Sequence, residues 1–552
     1  MSTPTPRLGL RALLPCVAIS VVTVLIYAGS LDSPFVNLDD LNQIVRNSLV
    51  VAPAQAGWLD LLLTPAAGYV IPVTVGVNAL LWKLGGGTAA AFHWAGLALH
   101  LLFCGGLWWA AQRITGDVRR PWRAAALVAL FAWHPLMVEP TAWATGLKDL
   151  LAANLVLGSG LLFGSVLGQA RPTRAALVWA VVLAMLAMLC KPNVALVGLA
   201  FCGALFVEHK FGSRPVPVSA VSTAVILVML GMTTGAVTRS MQHLLIRDAV
   251  EAPLLAPLQT LGHQLSHWFW PVNLHPVYRL AQLPPGGDVH TLFGAVAVLA
   301  VIAFAVSQRR APRAFLSLCV AACVYLPVSG VIAFPRRIAD SYMYVPVAGV
   351  LLALVPAIDA VKARRWQLPV VGVLLAALAC QSWQQSQRWS SSLGLWSPVS
   401  DAYPAWPRPR LGLAGAFAEA GNYSAAVEQY SAAFARGYSA ASVGDFGAAL
   451  AQAGRWDDAE CVLAEAALGE KDREFSALRN YVVLATSVRR PLRHRAAASF
   501  LLPAALGVPL GLSPASLVRL QGAVADLPQL TAVPPPWPQA SCDLLRPSPE
   551  WL

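Results

Sequence analysis

The sequence predicts an all-α protein: a polytopic membrane bundle of about 11 helical spans, followed by an extracytoplasmic α-solenoid. Three observations point there. Hydrophobic residues make up 57% of the chain and charged residues only 12%, an apolar excess too large to bury in a soluble core. Apolar runs approaching the roughly 20 residues that cross a hydrocarbon core recur up to about residue 382. Beyond that point the runs shorten, prolines and polar residues enter ("SDAYPAWPRPR"), and the helical pattern becomes amphipathic.

The spans fall near residues 13–29, 92–112, 124–138, 150–170, 175–190, 192–207, 216–236, 291–308, 314–333, 342–358 and 368–382. The first follows Arg7 and Arg11 and precedes no small-residue cleavage signature, so it reads as a retained helix with a cytoplasmic amino terminus. Alternation then places Arg113, Arg119, Arg120 and Arg123, Arg171 and Arg174, Lys210 and Arg214, Arg309, Arg310 and Arg313, and Lys362, Arg364 and Arg365 in cytoplasmic loops, as the positive-inside bias requires. The odd count leaves the first loop, about 30–91, and everything after residue 383 outside the cytoplasm. The segment "IPVTVGVNALLWKLGG" is short for a span, and the arginine pattern holds only if it does not cross.

The chain thus divides into a membrane domain at 1–382, a linker at 383–410 and a helical domain at 411–552. The last contains an internal repeat. Residues 413–434 and 447–468 align with Gly421 over Gly454, Tyr423 over Trp456, Ala426 over Ala459 and Ala433 over Ala466. Small residues at fixed places let antiparallel helices approach, and an aromatic fills the gap at their turn, a pattern of tetratricopeptide (TPR) type. A chance repeat in an alanine-rich hairpin is the plainer alternative. The stretch "RRPLRHRAAASFLLPAALGVPLGL" reads as a helical extension that caps the repeats, since Pro503 and Pro509 interrupt it as a span.

The nine cysteines are scattered with no metal or redox spacing and read as small hydrophobes. The net charge of +12 lies in short clusters between apolar runs, which fits orientation signals at a membrane and excludes nucleic acid as a partner.

Ionisable residues near membrane depth are costly and therefore point to function. Asp39 and Asp40 in the first external loop, His134, Glu139, Lys148 and Asp149 in "WHPLMVEPTAWATGLKD", Lys191 in "LCKPN", and Arg336, Arg337, Asp340 and Tyr342 around "RRIADSYMYVP" all fall on the extracytoplasmic side. The cations suit a phosphate or pyrophosphate, and an aspartate suits a general base toward an acceptor hydroxyl. Each has a plainer reading alone: the aspartates as a helix cap, Lys148 and Asp149 as an interface mark, His134 as a satisfied structural histidine.

In order along the chain, "FVNLDDLNQIVRN", "YVIPVTVGVNALLW", "FHWAGLALHLL" with His93 and His100, "FAWHPLMVEPTAWATGLKDLLAA", "LCKPNVAL", "WFWPVNLHPVY" and "SYMYVPVAGVLLAL", with the repeats after residue 410, resemble the GT-C-type multi-spanning glycosyltransferases that end in TPR repeats. These include the transmembrane and TPR O-mannosyltransferases and their bacterial relatives. The resemblance implies a hexosyltransferase that moves mannose or another hexose from a polyprenyl or dolichyl phosphate to an acceptor hydroxyl, with inversion. It implies Asp39 first, and Asp40 second, as the catalytic base. His134, Glu139, Lys148, Asp149 and Lys191 would then shape the pocket and bind the donor phosphate. Where relatives read acid, arginine, tyrosine, this chain has Asp340, Ser341, Tyr342, so Arg336 or Arg337 replaces the missing arginine, or donor specificity or activity has changed.

The expected partners are membrane lipid, the isoprenoid phosphate sugar and a protein or peptide acceptor held by the TPR-like repeats. No tightly bound cofactor is expected, and no second pair of ligands accompanies Asp39 and Asp40 to settle a divalent metal. The short, arginine- and alanine-rich chain leans toward a bacterial inner membrane with the repeats in the periplasm. A noncatalytic TPR scaffold for an envelope assembly is the alternative from another class. A transporter is disfavoured by the one-sided charges and the lack of duplicated halves.

Overall fold

The structure of the chain is a computed structural model that describes residues 10–53, 57, 60, 64, 70–115, 121–169, 171–212, 216–245, 255–279, 287–331, 336–360, 367–436, 442–468, 479–484, 518 and 521. Every regular element among them is helical. The expected carboxy-terminal helical extension lies almost wholly outside the described residues. The chain separates into two units, 1–391 and 392–552.

The first unit contains α1 (Leu10–Tyr27), α2 (Pro72–Leu84), α3 (Ala90–Thr115), α4 (Pro121–Ala132), α5 (Leu147–Val166), α6 (Arg174–Cys190), α7 (Val197–Phe211), α8 (Val218–Leu245), α9 (Ala256–Phe269), α10 (Val289–Ser307), α11 (Pro312–Tyr325), α12 (Tyr344–Ala360) and α13 (Gln367–Arg388). Each of the eleven expected segments meets a helix. Five helical stretches are long and apolar enough to cross a membrane unaided, a bent pair makes a sixth, and four shorter apolar helices add to these among the described residues. The 13 residues of α2 rise only about 20 Å against a core of about 30 Å, in keeping with a segment that does not cross.

Large apolar side chains stay exposed along single helix faces, as at Leu14, Val17, Val21 and Leu25 on α1 and at Leu292, Val296, Leu299 and Ile302 on α10. Spaced by three or four residues, they form stripes suited to contact with lipid tails. The opposite faces pack inward. Phe103, Phe131 and Tyr344 draw α3, α4 and α12 together with ring centroids 4.9–5.4 Å apart, and the Tyr344 hydroxyl lies 2.8 Å from His100 Nδ1. Phe163 of α5 stacks on Phe201 of α7 at 4.0 Å.

One expected span is corrected. The segment 124–138 is not one straight span: α4 ends at Ala132 and the chain bends by 61°. Pro135 removes a backbone donor and disfavours helical geometry at the residue before it, and His134 is accordingly extended with ψ 130°. The stretch 383–410, expected as a linker, is mostly helical: α13 runs to Arg388 and α14 (Ser392–Ala402) follows. Apolar residues at helical spacing there (Leu395, Trp396, Val399) bury one face.

In the second unit, α15 (Pro407–Glu419) pairs with α16 (Tyr423–Phe434) and α17 (Val443–Gln452) with α18 (Trp456–Leu468). The two hairpins share their turn. Gly421 (φ 75°) and Gly454 (φ 76°) adopt the left-handed conformation, and the following residues close the same bonds, Asn422 N–H to the Phe417 carbonyl and Arg455 N–H to the Leu450 carbonyl, each 2.9 Å. That is the six-to-one bond of a glycine-terminated helix, repeated one period later. Ala426, Ala433 and Ala459 are wholly buried where the helices meet. One cysteine reading is also corrected: Cys461 on α18 is disulfide-bonded.

Candidate functional site

The centre of the site is built from two segments that leave the bundle on the side assigned as extracytoplasmic, and Lys191, Tyr278 and Arg336–Tyr342 join it from other connections. After α1 the chain makes a short turn, runs extended past Val36, and winds through a single wide helical turn at Leu41–Val45. After α4 it folds through the turn Pro135–Met137, the short helix Val138–Ala142 and the turn Ala144–Gly146 before entering α5. Gly146 is required at that last turn, because a Cβ there would stand 2.5 Å from the Pro140 carbonyl oxygen.

Asp40 joins the two segments. Its buried carboxylate accepts from the Val36 N–H at 3.0 Å, from the Thr145 N–H at 3.0 Å and from the Thr145 hydroxyl. Neither aspartate side chain caps the helical turn that follows, so the capping explanation of the pair fails. Burial pushes the Asp40 carboxyl up to about 6, against the three hydrogen bonds that pull it down.

Asp39 is different in kind. It is half-buried, and its Oδ2 accepts from Gln43 Nε2 at 3.1 Å. Gln43 Oε1 in turn accepts from Lys148 Nζ at 3.0 Å. One amide therefore bridges a reachable carboxylate and an ammonium group. Lys148 lies 5.3 Å above the Trp143 ring, and the Arg336 guanidinium lies 5.6 Å from the same ring.

The remaining cations are largely neutralised. Arg336 Nη2 pairs with Glu139 Oε1 at 2.9 Å, and the other Glu139 oxygen accepts from the Asp340 N–H at 3.2 Å. Lys191 pairs with Asp149 and lies 5.2 Å from the Tyr342 ring. The Tyr342 hydroxyl donates to the Arg336 carbonyl at 3.1 Å. Lys148, by contrast, has no carboxylate within ion-pair distance among the described residues, though Asp39, Asp149, Lys191 and Arg336 all lie near enough to act on its charge.

The structure thus brings together Asp39, Asp40, Glu139, Lys148, Asp149, Lys191, Arg336, Asp340 and Tyr342. His134 stands apart, with its Nε2 2.9 Å from the Trp268 carbonyl and its Nδ1 accepting the Leu136 N–H at 3.2 Å, so both ring nitrogens serve the fold. Arg337 joins no ion pair among the described residues, and its Nε and Nη2 are buried without a partner. No group of three or more His, Cys, Asp or Glu side chains suited to a metal is found among the described residues.

Four participants carry no charge and escaped the sequence reading: Gln43, Trp143, Thr145 and Tyr278. The Tyr278 hydroxyl accepts from the His275 N–H at 3.0 Å and donates to Asp340 Oδ1 at 2.7 Å. The signal for Gln43 was its place four residues after Asp39, one helical turn on. Thr145 and Trp143 are recognisable only once Asp40 and Lys148 are located in space.

No family model and no curated protein matches the chain. Among solved structures, the chain is similar to two crystal structures of ArnT from Cupriavidus metallidurans, one bound to undecaprenyl phosphate and one in the apo state. Each shares 15% identity over 81% of this chain and 79% of the other, with TM-scores of 0.38 and 0.37. The chemistry proposed for this chain therefore stands on its own residues.

Proposed function

We propose that the protein is a GT-C-type membrane glycosyltransferase that moves a hexose from a polyprenyl phosphate to an acceptor hydroxyl on the extracytoplasmic side. The observation that carries this reading is the bridge from Asp39 through Gln43 to Lys148, which sets a reachable carboxylate and an uncompensated cation on opposite ends of one amide. Asp39 takes the proton of the acceptor hydroxyl, whose oxygen attacks the anomeric carbon. The bond from that carbon to the phosphate oxygen breaks, and the departing polyprenyl phosphate keeps the electron pair. Lys148 offsets the charge that develops there.

Asp40 positions rather than reacts, because its oxygens are already occupied by Val36 and Thr145. Arg336 and Lys191, paired with Glu139 and Asp149, hold the walls of the site in place. Mannose is one candidate sugar, and a protein or peptide hydroxyl is the proposed acceptor. The TPR-like hairpins of the second unit would present that acceptor. The disulfide at Cys461 suits an oxidising compartment such as the periplasm. Sugar transfer from polyprenyl phosphate hexoses in membranes, measured for wild type and for Lys148→Ala, tests the reading. It expects transfer in the wild type and a marked loss in the variant; equal transfer by both removes Lys148 from the donor site.

A further inference from the structure

A second site lies at the opposite end of the bundle. Between α3, α5, α11 and α12 runs a groove whose walls are mostly apolar, among them Phe103, Val156, Leu157 and Leu352. Along α5 it extends from Ala153 to Ser165, a rise of about 18 Å. That exceeds one leaflet, which is half of a core of about 30 Å. Its mouth is marked by two arginines at helix ends that the positive-inside pattern assigns to the cytoplasmic side, Arg113 in the last turn of α3 and Arg313 in the first turn of α11.

The two arginines are organised. Arg313 Nε donates to the Gly164 carbonyl at 3.2 Å and its Nη1 to the Arg113 carbonyl at 3.3 Å, while the Arg113 guanidinium lies 4.4 Å from the Trp109 ring. No carboxylate pairs with either among the described residues. Among the described residues, then, two guanidinium groups without an ion-pair partner stand at the end of an apolar slot. Gly160 faces open space, since a Cβ built there meets nothing within 4 Å.

We propose that this groove seats an anionic phospholipid of the cytoplasmic leaflet, with its phosphate at Arg113 and Arg313 and one acyl chain lying along Gly160 toward Ala153. The polyprenyl phosphate donor is the wrong occupant by charge placement: its phosphate belongs beside Lys148, and the cations of the groove stand at the far end. The apolar walls and paired guanidinium groups together match one amphiphile with a negative head.

The full chain, reconstituted with an equal mixture of phosphatidylglycerol and phosphatidylcholine and then released into detergent, is examined by native mass spectrometry for retained lipid. Wild type is expected to retain phosphatidylglycerol about tenfold over phosphatidylcholine. The double variant Arg113→Gln with Arg313→Gln is expected to lose that preference, and Gly160→Phe, which fills the slot, to lose the bound lipid. Equal retention of the two lipids by wild type overturns the proposal, as does undiminished phosphatidylglycerol in a monodisperse Gly160→Phe. If Gly160→Phe does not fold, the double variant decides alone. Displacement of the phospholipid by added undecaprenyl phosphate assigns the groove to the donor and also overturns it. Only the exclusion of the polyprenyl phosphate as occupant rests on the proposed donor site; because no sugar transfer is read, a failure of the glycosyltransferase reading would leave the phosphatidylglycerol preference unchanged.

Discussion

Asp40→Asn sets two consequences of one buried carboxylate against each other. In the folded chain the Asp40 carboxyl is pushed from 3.8 to about 6, with burial as the leading cause. At 1.36 kcal/mol per pH unit, the ionised form costs the folded state about 3 kcal/mol. The sign follows from proton binding. Below pH 3.8 both states are protonated and there is no penalty; between 3.8 and about 6 the unfolded chain loses its proton first and stability falls; above 6 the penalty is complete. Asparagine is neutral throughout. It accepts through one oxygen only and turns an N–H toward Val36 or Thr145, which returns about 1–3 kcal/mol of the gain. The stability of Asp40→Asn relative to wild type should therefore rise by about 2–2.5 kcal/mol from pH 4 to pH 7.5, on top of the pH-independent hydrogen-bond loss, while sugar transfer falls because Thr145 and the first loop lose their fixed anchor. Thermal unfolding of both proteins in detergent at the two pH values reads this out. A difference between them that does not change with pH, or that moves in the opposite direction, refutes the reasoning.

Three further outcomes are expected. Lys148→Ala should lower kcat/KM for the polyprenyl phosphate sugar about 10- to 100-fold, the worth of one charge-assisted contact, with kcat falling because the lost charge acts on the leaving phosphate. Tyr278→Phe removes the hydroxyl donor to the buried Asp340 and should destabilise the protein by about 1–3 kcal/mol in chemical unfolding. Gly454→Ala meets no atom within 4 Å, so its cost is backbone strain alone, about 1–2 kcal/mol by the melting of the second unit's helices; a neutral result would show that the turn relaxes out of its left-handed conformation.

Residues whose cost is visible locally were legible in the sequence. A charge in an apolar chain is expensive wherever it falls, so Asp39, Lys148, Asp149, Lys191 and Arg336 stood out before their partners were known. The hairpin turns were legible too, because Gly421 and Gly454 recur one period apart and only glycine adopts that turn without strain. What the sequence left hidden depends on three-dimensional proximity. The two aspartates look alike in "NLDD", yet Thr145, more than a hundred residues away, occupies Asp40 and leaves Asp39 reachable. The pairing of Arg336 with Glu139 and of Lys191 with Asp149, which singles out Lys148, crosses between separate segments in the same way. His134 misled for the opposite reason: its role is a local cap and one carbonyl contact, and neither leaves a mark distinct from a ligand histidine. The bend after α4 was written in Pro135, but an unbroken apolar run concealed it.

The most direct test of the account is sugar transfer by purified Asp39→Asn from a polyprenyl phosphate hexose, measured beside its melting temperature. Asparagine keeps an oxygen for Gln43, so the fold should persist, while loss of the base should lower kcat by about 10²- to 10⁴-fold. Wild-type transfer by a correctly folded Asp39→Asn would contradict the assignment of Asp39 as the base.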